Sequence, residues 1–264
     1  MIPRVLAIAG SDPSGGAGIQ ADIKSISAGG GYAMAAVTAL TAQNTRGVRA
    51  VHVPPPQFLA DQLDALSDDI EIDAVKIGML ANSATIEVVT AWLARTPVPH
   101  VVLDPVMVAT SGDRLLDGDT ADALAGLIAQ VDLITPNIPE LGVLSGAEPA
   151  RSRDEARAQA LELAARHDVA VLAKGGHLPG DRATDVLVWP AGDATEVSSP
   201  WIHTDHTHGT GCSLSSAIAT RVVRDEGDWE SAVGGAKRWL TGALVAADEL
   251  HVGTGHGPLH HFAG

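Results

Sequence analysis

Short apolar runs alternate along this chain with longer stretches of three- and four-residue apolar spacing, a pattern that predicts strands followed by helices. Strands are expected at Val5–Ala9, Ala33–Ala39, Val48–Val53, Ala74–Ile77, Val101–Leu103, Asp132–Ile134 and Val169–Ala173. Helices are expected at Ala17–Ala28, Pro56–Asp69, Ala84–Arg95, Thr120–Ala129, Ile138–Leu144 and Asp154–Arg166, with Ser152 and Glu155 forming a capping box at the last. Beyond Lys174 the order changes. Thr184–Trp189 and Ala194–Val197 predict a hairpin turned by Pro190, Ala191, Gly192 and Asp193. Helices at Leu214–Val223 and Trp229–Leu250 follow, the second with a broad apolar stripe that has Lys237 at its edge, and Gly253–Gly264 reads as a loop.

Strand and helix in this alternation predict an α/β fold: a central, mostly parallel sheet with helices on both faces and a short antiparallel extension. Ligands then bind beyond the carboxyl ends of the strands. A composition that is 45% hydrophobic but 3% aromatic builds its core from Val, Leu, Ile and Ala, as buried parallel strands do, and disfavours an all-β sandwich. At 264 residues, with no internal repeat or linker-like stretch, one domain over 1–264 is expected. A net charge of −15 argues against nucleic acid or an anionic membrane as partner. No apolar run reaches the roughly 18 residues that span a bilayer. Val5–Ala9 is shorter than a signal-peptide core and runs straight into Gly10. A single cysteine excludes an internal disulfide, so the reducing cytoplasm is the expected compartment.

That cysteine lies in the run His208, Gly209, Thr210, Gly211, Cys212, Ser213, a glycine-flanked turn that opens a helix. Free N–H groups and the positive end of the helix there favour an anion, either a transferring phosphoryl group or a thiolate. The alternative is a small cysteine packed under a helix start. A second glycine-rich turn, Gly10 to Gly18, follows the first strand and opens the first helix, but matches neither the dinucleotide nor the Walker pattern. It reads equally as a tight connection. Asp22, one turn into that helix, sits near its core-facing stripe, where an unpaired carboxylate is costly.

The segments AGSDPSGGAGIQAD, TALTAQNTRGV, KIGML, LDPVM, LITPNIPE, KGGH and HGTGCS, in that order, together resemble the hydroxymethylpyrimidine/phosphomethylpyrimidine kinases of thiamine biosynthesis, members of the ribokinase-like superfamily. The resemblance implies two ATP-dependent phosphorylations, of 4-amino-5-hydroxymethyl-2-methylpyrimidine and then of its monophosphate. It implies that Asp22 and Gln43 hydrogen-bond the aminopyrimidine, that Gly10 lets it approach the backbone, and that Met79 and Val106 line its apolar faces. It implies Cys212 as the group that takes the substrate's hydroxyl proton, where most ribokinase-like enzymes have an aspartate, and the amides of Gly209, Thr210, Gly211 and Cys212 as the cradle for the phosphoryl charge. Lys174 and Lys237 would meet nucleotide phosphates. Asn137 and Glu140, with Asp104, would organise Mg2+ mostly through water. A homodimer is also implied.

Local chemistry leaves other roles open for several of these residues. Asn137 and Glu140 are spaced as a helix cap, Met79 and Val106 as core residues, Gln43 as a loop cap and Lys237 as a solvated lysine. The histidines at 203, 206 and 208 lack thiolate spacing for zinc. The rival functions are a vitamin B6 kinase, a cysteine hydrolase using Cys212 and His208, and a ligand sensor that has lost catalysis.

Overall fold

The computed structural model describes residues 1–107, 120–176, 178 and 180–263, which leaves His177 of the KGGH run and the last tail residue outside the described set. Among the described residues, nine strands join one sheet: β1 Arg4–Ser11, β2 Tyr32–Asn44, β3 Gly47–His52, β4 Ala74–Ile77, β5 Val101–Leu103, β6 Leu133–Ile134, β7 Ala170–Ala173, β8 Arg182–Val188 and β9 Ala194–Pro200. Their spatial order is β3-β2-β1-β4-β5-β6-β7-β8-β9. β2, β1, β4, β5, β6 and β7 are mutually parallel, and β8 and β9 continue antiparallel, as expected of the hairpin.

The opposite edge is antiparallel too, which the sequence pattern did not signal. β2 runs 13 residues, well past the expected Ala39, and its outer half pairs antiparallel with β3 after a tight turn at Thr45 and Arg46. This ribbon carries Thr41 and Gln43 beyond the carboxyl end of the sheet.

Among the described residues, eight helices cover the faces: α1 Gly18–Ala28, α2 Pro56–Ser67, α3 Ser83–Leu93, α4 Ala121–Ile128, α5 Ile138–Ser145, α6 Arg153–His167, α7 Thr210–Arg224 and α8 Trp229–Val245. Period-2 alternation assigns the strand residues to two layers. Leu6, Ile8, Val75 and Ile77 pack with Leu63, Trp92, Leu127 and Leu163 of α2, α3, α4 and α6. Val5, Ala7 and Ala74 pack with Ile26 of α1, Ile218 of α7 and Val233 of α8. No helix among the described residues is long and apolar enough to cross a membrane.

Local chemistry sets the ends. Asn82 caps α3 by accepting the Thr85 N–H at 3.0 Å. Asn82→Ala should lower stability by about 1 kcal/mol, read as a shift in the denaturation midpoint. The Ser152 cap on α6 is present, but Glu155 accepts the Arg151 N–H at 2.7 Å instead of closing the expected box. Helix α8 stops at Val245, and Ala247–Leu250 tightens into a 3₁₀ turn instead of continuing it.

Candidate functional site

Helix α7 begins at Thr210, four residues before its apolar periodicity does, so Cys212 lies in its first turn. Gly209 makes this start possible by taking φ +81, and no side chain caps the helix. Among the described residues the N–H groups of Gly209, Gly211 and Cys212 have no partner, whereas that of Thr210 turns back to the Thr207 carbonyl at 3.3 Å. The donor set is therefore three of the four amides expected. The Thr207–Thr210 turn removes the fourth.

The β1–α1 loop faces this turn. Asp12 is buried and its carboxylate accepts the N–H groups of Ser14 (2.9 Å), Gly16 (3.2 Å) and Ala17 (2.9 Å), while Oδ2 meets His208 Nε2 at 2.8 Å. Burial alone would raise its pKa, but the His208 and Ser14 bonds outweigh that and hold the carboxyl below its ordinary value. The tail completes the frame: His208 N–H donates to Gly257 O at 3.1 Å, Leu259 is buried, and His261 Nε2 lies 3.0 Å from Ser213 Oγ. Burial lowers the His261 pKa to about 4, so the ring is neutral at pH 7. The tail has no helix or strand, yet it holds the turn from behind.

One wall is apolar. Met79, Ala39 and Ala81 form a cluster with Val53 and Val106, and a Cβ on Gly10 would lie 2.9 Å from Met79 Sδ, so only glycine admits that sulfur. At its rim Gln43 Oε1 accepts the Thr41 hydroxyl at 3.2 Å, and Gln43 Nε2 lies 3.5 Å from His208 Nε2. Gly10, Met79 and Val106 thus converge as expected, with Gln43 beside them.

The other wall is charged. Lys174 Nζ bonds Asp104 Oδ1 at 2.7 Å, and a Cβ on Gly211 would stand 3.2 Å from that ammonium, so Lys174 borders the amide turn. Burial would lower the Lys174 pKa, but Asp104 and Glu140 raise it above the ordinary value. Asn137 and Glu140 form a reciprocal capping box on α5, at 2.9 and 2.8 Å. Burial pushes Glu140 to about 7, against the pull of Lys174.

The family model described as phosphomethylpyrimidine kinase matches residues 12–260. The chain belongs to the phosphomethylpyrimidine kinase family. It is 49% identical to the hydroxymethylpyrimidine/phosphomethylpyrimidine kinase of Salmonella typhimurium over 98% of this chain and 97% of that one. It is 53% identical to a thiamine biosynthesis multifunctional protein of Corynebacterium efficiens over 99% of this chain, and spans 35% of that longer protein. The ADP complex of Bacillus subtilis pyridoxal kinase superposes with a TM-score of 0.89 at 31% identity, over 100% of this chain and 98% of that one. The ribokinase-like fold expected of this family is the one observed.

Three residues that the resemblance assigned to ligands are paired within the fold, and a fourth, Cys212, stands in its expected turn with a raised pKa. Lys237 is buried and donates to Asp185 Oδ2 at 2.6 Å, while Asp185 Oδ1 accepts the Gly175 N–H at 3.0 Å. Its ammonium steadies the loop after Lys174 through Asp185. Asp104 Oδ1 takes Lys174 at 2.7 Å and the Thr135 hydroxyl at 3.2 Å. Asp22 has no exposed surface: its Oδ1 takes Lys76 Nζ and Ser216 Oγ, each at 2.8 Å. Cys212, partly exposed, is not the ready thiolate that a helix start favours, because burial raises its pKa to about 11. Lys76 and the Gly18 N–H pull it down, while Asp22 and Asp104 push it up.

Lys76, Asp12 and His261 are site residues that sequence reasoning missed. Lys76 alone gave a signal, as a charge inside an otherwise apolar strand.

Proposed function

We propose that this chain is a kinase that transfers the ATP γ-phosphoryl group to the hydroxymethyl group of 4-amino-5-hydroxymethyl-2-methylpyrimidine, and then a second phosphoryl group to the monophosphate. The observation that carries this reading is the placing of one amide turn, Gly209–Cys212, between an apolar wall and a lysine. The pyrimidine packs against Met79 and Val106 over Gly10, and the Gln43 carboxamide reads its donor and acceptor edge. The free amides of Gly209, Gly211 and Cys212, with Lys174, hold the charge that spreads over the phosphoryl oxygens, the dominant contribution to this chemistry. Cys212 receives the hydroxyl proton. Thr210 contributes backbone conformation to the turn, and Lys237 acts through Asp185 on Gly175.

Magnesium is part of the reading, and bound Mg2+ would neutralise and align the nucleotide phosphates. No group of three His, Cys, Asp or Glu side chains placed to hold a metal occurs among the described residues. Glu140, a buried carboxylate that lacks full neutralisation, is the group that fits such an ion, through water and beside Asn137. The proposal takes residues 1–264 as one kinase domain in the cytoplasm, acting as the homodimer that the family resemblance implies, with neither nucleic acid nor membrane as partner.

A vitamin B6 kinase is the second reading, favoured by the structural likeness to pyridoxal kinase. The much higher identity to a hydroxymethylpyrimidine/phosphomethylpyrimidine kinase favours the first. Purified chain given ATP, magnesium and hydroxymethylpyrimidine should yield the monophosphate and then the diphosphate, followed by chromatography. Faster turnover on pyridoxine or pyridoxal in the same assay would reverse the assignment.

A further inference from the structure

Lys76 is a charge that the fold itself does not require. Alternation along β4 turns it toward the α1 and α7 layer, where Ala74 packs among apolar side chains, yet its ammonium has no exposed surface. Two buried charges lose more hydration than their attraction returns unless further hydrogen bonds complete the site. Here the completion is partial. Asp22 Oδ1 takes both Lys76 and Ser216, but Asp22 Oδ2 is buried without a partner. Ser216 lies one turn beyond Cys212 on the same face of α7, so the pair is tied to the helix that carries the sulfur.

We propose that Lys76 and Asp22 are a positioning pair for Cys212, in which the ammonium, locked by the carboxylate and Ser216, is the fixed positive charge beside which the sulfur carries its negative charge. This rests on the reading of Cys212 as the proton acceptor. In the step, the substrate O–H bond breaks as its oxygen bonds phosphorus, the proton passes to the thiolate, and ADP leaves with the electron pair of the broken P–O bond. The thiol then returns its proton to water. The charged groups whose fields reach Cys212 are Lys76 from β4, Asp22 from α1, Asp104 beyond β5 and Lys174 beyond β7, with the Gly18 N–H at the start of α1. The two carboxylates oppose a thiolate, and Lys174 borders the amide of Gly211. Lys76 is the cation that Asp22 and Ser216 tie to the face of α7 carrying the sulfur.

Cys212 is the sole cysteine, so the pH dependence of its alkylation by iodoacetamide reads its ionisation in the full chain. Lys76→Met should move the midpoint up by about one pH unit or more, slowing alkylation at pH 8 about tenfold. The pH profile of kcat should move with it while KM for the pyrimidine holds. Asp22→Asn should move the midpoint down. Opposite shifts within one buried pair are not what loosened packing produces. Should Lys76→Met fail to fold, the uncharged double variant Lys76→Met/Asp22→Asn replaces it, again with a raised midpoint, because burial then acts on the thiol with no cation of the pair to oppose it. A midpoint that stays or falls in the folded lysine variant overturns the proposal. Failure of the Cys212 reading itself would appear differently, as unchanged turnover in Cys212→Ala.

Discussion

Cys212→Ala is expected to lower kcat by about 10²- to 10⁴-fold, the usual contribution of a positioned acid or base, while KM for the pyrimidine holds. The fold should survive, because the residue is partly exposed in the first turn of α7 and alanine is a better helix former than cysteine. Pyrimidine binding should survive because the Met79, Val106 and Gln43 wall lies on other elements. The remaining turnover would come from the amide donors and Lys174, which act on the phosphoryl charge whatever takes the proton. Steady-state kinetics with isothermal titration of the pyrimidine separates the two effects. Unchanged kcat would place the base elsewhere.

A second reading of the same variant uses pH. Burial pushes the thiol up to about 11, so at neutral pH the thiolate is the minor form and its fraction grows about tenfold with each pH unit. Turnover limited by proton transfer should therefore rise with pH through the neutral range. In Cys212→Ala that rise should vanish. A wild-type profile that falls from pH 7 to 9, with the fold intact, would sink the assignment even if the alanine variant were slow for other reasons.

Sequence pattern resolved best where the chain supplies sharp local boundaries. β4 and β5 end at Ile77 and Leu103 as expected, because Asp73, Gly78, His100 and Asp104 fence short apolar runs. β2 overran its expected end because its outer half alternates between exposed and half-exposed residues and is stabilised by β3 across a turn, a partnership with no apolar signature. The first turn of α7 was missed for a similar reason. Thr210 to Ser213 have no apolar period, and only the backbone angle of Gly209 declares the start.

For the site, the motifs located the loops but not the pairings within them. Asp12 and His208 are 196 residues apart, and nothing near either foretells the other. Lys237 looked like a stripe-edge lysine because its partner, Asp185, lies on the hairpin that the sheet brings under α8. Asp22 was legible as a costly carboxylate near a core-facing stripe. That its Oδ1 meets a strand lysine depends on the stacking of α1 over β4.

Gly209→Ala should lower kcat by about 10²- to 10³-fold, the cost of misplacing one preorganised donor at a developing anion. Two costs act together at this position. The left-handed backbone at φ +81 disfavours any Cβ by roughly 1–2 kcal/mol, and that Cβ would collide with the Gly16 carbonyl oxygen. Relief requires the α7 turn and the β1–α1 loop to separate, which pulls His208 from Asp12 and swings the free amides of Gly211 and Cys212 away from Lys174. KM for ATP should rise and the melting temperature fall. Gly146→Ala supplies the control, since Gly146 ends α5 at φ +71 with nothing within 4 Å of the added Cβ, and so carries the backbone cost alone. Its melting temperature should fall while turnover holds. Equal losses of turnover in the two variants would mean that general strain, and not the contact between the two glycine loops, governs catalysis.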